Sequence, residues 1–170
     1  MFFNLLSPLA DDWSPLNVFR YQTFRSGSAI LFAFFLTLFI GPRIIRWLKM
    51  KQREGQPIRE DGPESHLLTK KGTPTMGGLM FLISACITTL LWADLSNGYV
   101  WVVLMVTLGY GAIGFGDDFL KLTKRNTKGL PGRIKLLAQF AIGLVASLWV
   151  AWIAPPALAT GPAVPVFKDL

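Results

Sequence analysis

Apolar and polar residues fall in blocks along this chain rather than alternating every second or fourth position. Four blocks approach the twenty or so apolar residues that carry a helix across a bilayer. They cover about 21–40, 75–92, 98–116 and 134–153. The pattern predicts an all-α polytopic membrane protein with four transmembrane helices. The first helix is expected to run on beyond its apolar block, because Ile44, Ile45 and Leu48 recur at helical spacing. Past Gln52, Gly and Pro at positions 55, 57, 62, 63, 72 and 74 read as ordered loop with turns. The fourth block carries Gly143, Ser147 and Ala151 on one stripe, a surface on which another helix can pack closely.

Charge orients these blocks. The net charge of +7 would suit nucleic acid, but its distribution argues against that partner. Arg43, Arg46, Lys49, Lys51, Arg53, Arg59, Lys70 and Lys71 separate the first two blocks. Lys121, Lys124, Arg125, Lys128, Arg133 and Lys135 lie between the third and fourth. The other connections are nearly bare. This positive-inside asymmetry predicts cytoplasmic loops at 43–73 and 117–133, with the N-terminus and the segment 154–170 outside. Trp92, Trp101 and Trp152 then mark outer helix ends, and Trp47 an inner one. Composition agrees: 52% of residues are hydrophobic, too many for an ordinary soluble domain. The first 19 residues lack the basic start of a cleavable signal. The lone Cys86, inside the second block, cannot form an internal disulfide.

The candidate chemistry sits where two blocks meet one membrane face. The third block ends in Asp117 and Asp118, adjacent carboxylates that repel each other, at a helix C-terminus whose dipole adds to the repulsion. Lys121 is one possible counter-charge. A divalent metal such as Mg²⁺, which takes one or two carboxylates plus waters and phosphate, is the other. The second block opens with "KKGTPTMGG", in which Thr73 or Thr75 can cap the helix and Pro74 suits its first turn. A helix N-terminus with a hydroxyl and a lysine is a ready phosphate site. Carboxylates, metal and phosphate together support phosphoryl transfer, with Lys124, Arg125, Lys128, Arg133 and Lys135 drawing in an anionic substrate. "GYGAIG" matches a dinucleotide-binding pattern literally. Inside a membrane helix, however, its glycines are expected to serve close helix approach.

The stretches "FRYQTFR", "GPRIIRWL", "DGPESHLLTKKGTPTMGG", "YGAIGFGDDFLKL", "NTKGL" and "VPVFKDL" are similar to those of the bacterial phospho-N-acetylmuramoyl-pentapeptide transferases, within the polyprenyl-phosphate sugar-1-phosphate transferases. The resemblance implies a Mg²⁺-dependent enzyme of the bacterial inner membrane with its site on the cytoplasmic face. Such an enzyme passes phospho-MurNAc-pentapeptide from UDP-MurNAc-pentapeptide to undecaprenyl phosphate, giving lipid I and UMP. It implies Asp117 and Asp118 as catalytic and metal-binding residues. Asp117 would deprotonate or position the lipid phosphate, and Asp118 would lie near metal and diphosphate. Lys70, Thr75, Lys121, Lys128 and Lys135 would bind substrate; His66 falls in a motif without an assigned role. The complete family enzyme is expected to be able to form a homodimer.

Two departures stand out. Gly116 replaces a larger apolar residue and is expected to loosen the helix end. The family's later motifs are absent, so the chain reads as an N-terminal portion, inactive by itself. The competing class is a membrane scaffold whose basic loops bind lipid or a partner; it would tolerate Asp117→Asn. A transport bundle would want ionisable groups at mid-membrane depth, and the four blocks have none.

Overall fold

A computed structural model describes residues 1–52, 75–124 and 129–155. Every regular element among them is helical: α1 (Phe2–Leu9), a 3₁₀ turn (Ser14–Arg20), α2 (Gln22–Lys51), α3 (Gly78–Trp92), α4 (Gly98–Lys124) and α5 (Gly132–Ile153). Helices α2, α4 and α5 are long and apolar enough to cross a membrane, and α3 is a shorter apolar helix. The chain is thus a multi-pass membrane protein. Lys70, Lys128 and His66 lie outside the described residues, as do most of the first basic loop and residues 156–170.

Packing follows sequence order, α2 on α3, α3 on α4 and α4 on α5. Successive helices are antiparallel. Gly41 of α2 sits against Met80 near the start of α3, and Phe32 meets Trp92 at its end. Gly98, which opens α4, faces Ile153, which closes α5. A row of helices has little interior, and the buried set shows it. Among the described residues the buried apolar side chains are Ala10, Leu48, Val102 and Leu104, joined by the polar Ser84, Thr88 and Asp117. Phe140, Leu137 and Leu136 stand outward, as expected where lipid rather than water is the solvent. Gly143, Ser147 and Ala151 are exposed, so no helix among the described residues uses that stripe.

Glycines set the closest approaches. A Cβ on Gly109 would lie 2.9 Å from Ile142 of α5, and one on Gly111 would lie 2.7 Å from Leu82 of α3. The "GYGAIG" stretch therefore does serve helix contact, through these two positions. Gly114 faces open space.

Helix boundaries differ from the apolar blocks in three places, the first of them as expected. α2 continues through Pro42 to Lys51, about 45 Å of helix, as the Ile44–Leu48 pattern predicts. α3 begins at Gly78 rather than near Thr75, because Met76 adopts φ 68°, a left-handed conformation that a helix cannot contain. Its 15 residues span only about 22 Å. α4 does not stop at the acidic pair but runs to Lys124. Gly116 leaves it unbroken, with only an ordinary 3.8 Å contact from Leu130 to a Cβ placed there. The chain also starts with structure that its apolar blocks did not predict. α1 and the 3₁₀ turn fold over the end of α3, where Phe2 and Phe19 pack on Trp92.

Candidate active site

Because α4 continues past its apolar stretch, Asp117 and Asp118 stand on the side of a helix, not at its C-terminus. The dipole penalty expected there is gone, and a turn of helix is available to supply counter-charge. Lys121, four residues on from Asp117, places its Nζ 2.7 Å from Asp117 Oδ2 and 3.6 Å from Asp118 Oδ1. Lys135, from the first turns of α5, reaches Asp117 Oδ2 at 3.3 Å. The Leu130 N–H donates to Asp117 Oδ1 at 2.8 Å. Both oxygens of Asp117 are therefore engaged, and the residue is only 8% exposed.

These contacts set its protonation. Asp117 lies just beyond the apolar stretch 98–116. The Lys121 hydrogen bond, followed by those from Leu130 and Lys135, outweighs burial and holds the carboxyl down to about 2. The same contact with Asp117 pushes the Lys121 ammonium up. The two carboxylates and two ammonium groups balance, so this cluster adds no net charge.

Asp118 is held differently. Thr75 Oγ1 donates to its Oδ2 at 3.1 Å, and among the described residues its Oδ1 has only the longer Lys121 contact. Thr75 does not cap α3, whose N-cap residue is Gly77. Its backbone is instead gripped by the Gln52 side chain. The Thr75 N–H donates to Gln52 Oε1 at 2.9 Å, and Gln52 Nε2 donates to the Thr75 carbonyl at 3.3 Å. One amide thus ties the end of α2 to the approach to α3 and aims the threonine hydroxyl at Asp118.

Of the residues singled out in the sequence, Asp117, Asp118, Thr75, Lys121 and Lys135 come together. Gln52 and Gly129 were missed. A Cβ on Gly129 would collide with the Asp117 carboxylate and meet Lys121 Cε at 2.8 Å, so only glycine lets the linker pass there. Neither has a local signal. Gln52 is one polar residue past a basic helix, and Gly129 is one glycine in a loop.

The donor set bears on a metal. Among the described residues no three His, Cys, Asp or Glu side chains gather to hold an ion. Asp117 has both oxygens committed to lysines and a backbone N–H. Among the described residues Asp118 has an oxygen to offer, and Mg²⁺ accepts a single carboxylate when waters and phosphate oxygens complete its shell. The site fits Mg²⁺ through Asp118.

Known proteins share this chain's features. Residues 70–82 match the family signature described as phospho-N-acetylmuramoyl-pentapeptide-transferase signature 1. A phospho-N-acetylmuramoyl-pentapeptide-transferase of Granulibacter bethesdensis is 59% identical over 170 residues, covering 100% of this chain and 47% of that protein. One from Maricaulis maris is 50% identical over 175 aligned residues, covering 100% of this chain and 48% of its own. The chain spans about half the length of the curated relatives it matches.

Proposed function

We propose that the chain belongs to the phospho-N-acetylmuramoyl-pentapeptide transferases and that it supplies the acidic part of a lipid I synthase site on the cytoplasmic face of the bacterial inner membrane. In the reaction, an oxygen of undecaprenyl phosphate bonds to the phosphorus that carries MurNAc-pentapeptide. The bond from that phosphorus to the bridging oxygen of UDP-MurNAc-pentapeptide breaks, and UMP leaves. The observation that carries this reading is the 3.1 Å hydrogen bond from Thr75 to Asp118, which joins the signature stretch to the acidic pair.

Roles follow from how each group is held. Asp118, whose Oδ1 has only the longer Lys121 contact among the described residues, is the carboxylate for Mg²⁺ and the diphosphate. The ion, when bound, would neutralise charge on the phosphates. Asp117 has both oxygens engaged by two lysines and a backbone N–H, so it is held as an ion-paired carboxylate. Its part is to orient Lys121 and Lys135, which can turn toward phosphate oxygens. Thr75 positions Asp118, and Lys70 and Lys128 extend the phosphate-binding surface. A homodimer of the whole enzyme is part of the same reading.

The test is lipid I formation from UDP-MurNAc-pentapeptide and undecaprenyl phosphate in membranes from the native host. Asp118→Asn is expected to cost about a hundredfold or more, and Asp117→Asn less. A scaffold would tolerate both substitutions. Near wild-type synthesis by Asp118→Asn sinks the proposal, and a larger loss from Asp117→Asn returns the base to Asp117.

A further inference from the structure

The opposite end of the helix row presents a different chemistry. A cavity of about 370 Å³ opens there between α2 and α3, with Val100 of α4 closing one side. That volume lies within the range of small-molecule sites. Four buried side-chain polar atoms lack a hydrogen-bond partner among the described residues, and three of them belong to residues lining this cavity: Arg25 Nε, Thr88 Oγ1 and Trp92 Nε1. Leaving such a group unmet costs about 1–3 kcal/mol. Arginine Nε and indole Nε1 can only donate. The cavity therefore calls for an acceptor.

Thr88 sharpens the point. A helical threonine commonly turns its hydroxyl back onto the carbonyl four residues earlier. Thr37 and Thr123 do so here, each at 2.8 Å. Thr88 is only 6% exposed and does not. The Arg25 guanidinium is steadied by stacking 4.1 Å above the Phe3 ring.

Asp94 lines the same cavity. Its Oδ1 accepts from Asn4 and from the N–H and hydroxyl of Ser96, while Oδ2 takes no hydrogen bond among the described residues. One guanidinium and one carboxylate on a single wall repel a bare di-anion but match a ligand carrying both signs. The cavity also sits at helix ends, beside Trp92 and near Trp101, the level at which lipid headgroups lie. We propose that it binds a zwitterionic phosphoethanolamine headgroup, with the phosphate on Arg25, Thr88 and Trp92 and the ammonium toward Asp94.

This site is independent of the transferase reading, and its test reads no activity. The detergent-purified 170-residue chain is titrated with phosphatidylethanolamine, phosphatidylglycerol or inorganic phosphate and followed by native mass spectrometry. One phosphatidylethanolamine should be retained, with affinity falling about tenfold in Arg25→Gln and in Trp92→Phe. Asp94→Asn should erase the preference for ethanolamine over glycerol headgroups while keeping phospholipid binding. Thr88→Val, nearly isosteric, keeps the fold and should still weaken retention. Four results overturn the proposal: no adduct, equal retention of both lipids, equal binding of inorganic phosphate, or indifference to all four substitutions.

Discussion

The two ends of the helix row solve opposite problems. At the Asp117 end, two carboxylates that would repel each other are surrounded by donors: two lysines, a backbone N–H and a threonine hydroxyl. At the Arg25 end, donors are left over. Buried charge is tolerable when it is paired and hydrogen-bonded, and the first end meets that condition from within the chain. At the second end the described residues do not meet it. An internally satisfied cluster is a positioning device, whereas an unsatisfied one is a socket.

Perturbing each end should expose this contrast. The largest effect is expected from Gly129→Val. The new side chain would displace the Asp117 carboxylate and break the Leu130 bond, costing about 3 kcal/mol by overpacking, measured by SDS unfolding in mixed micelles. Lys121→Met comes next, because among the described residues it leaves Asp117 with Lys135 as its one ion-pair partner beside the Leu130 N–H. About 2 kcal/mol should be lost, and pairing it with Asp117→Asn in a double-mutant cycle should recover about 1 kcal/mol or more as coupling. Additive losses would mean that the two residues do not act together.

Acid should reach the Asp117 end late. The Asp117 carboxyl is depressed in the folded chain, so its contribution to stability is present above the ordinary value of 3.8 and is lost as pH falls toward about 2. A carboxyl carbon resonance of labelled Asp117 that titrates near 4 would contradict the ion-paired geometry. Gln52→Ala removes both bonds to Thr75. It should destabilise by about 1 kcal/mol and speed amide exchange at Thr75 several-fold. The smallest effect is expected at Ser84, which is 2% exposed and has no partner for its hydroxyl. Ser84→Ala should leave stability unchanged or raise it by up to about 1 kcal/mol. A clear loss would reveal a partner that the described residues do not contain.

Much of this architecture can be read from the residues alone. Apolar blocks located α2, α4 and α5, the Ile44–Leu48 spacing foretold the extension of α2, and the acidic pair drew attention to Lys121. Four things escaped. Hydropathy ends where charge begins, so the part of α4 beyond Asp118 looked like loop even though Lys121 stands at helical spacing. The turn at Met76 is a left-handed residue that no glycine announces. Gln52 and Gly129 matter only because distant segments meet there, and a contact across the fold leaves no mark on neighbouring positions. α1 was too short for a pattern based on membrane-length blocks.

Gly109 and Gly111 have a further consequence. Two residues apart on a helix, they point in nearly opposite directions. One admits Ile142 and the other Leu82, so α4 is keyed on both flanks like a shaft in two slots. Such a shaft cannot turn about its own axis without driving a bulky side chain into its neighbour. The azimuth of Asp117, about 9 to 12 Å further along the same helix, is therefore set by two missing methyl groups. The aim of the acidic pair is fixed by apolar contacts well outside the site.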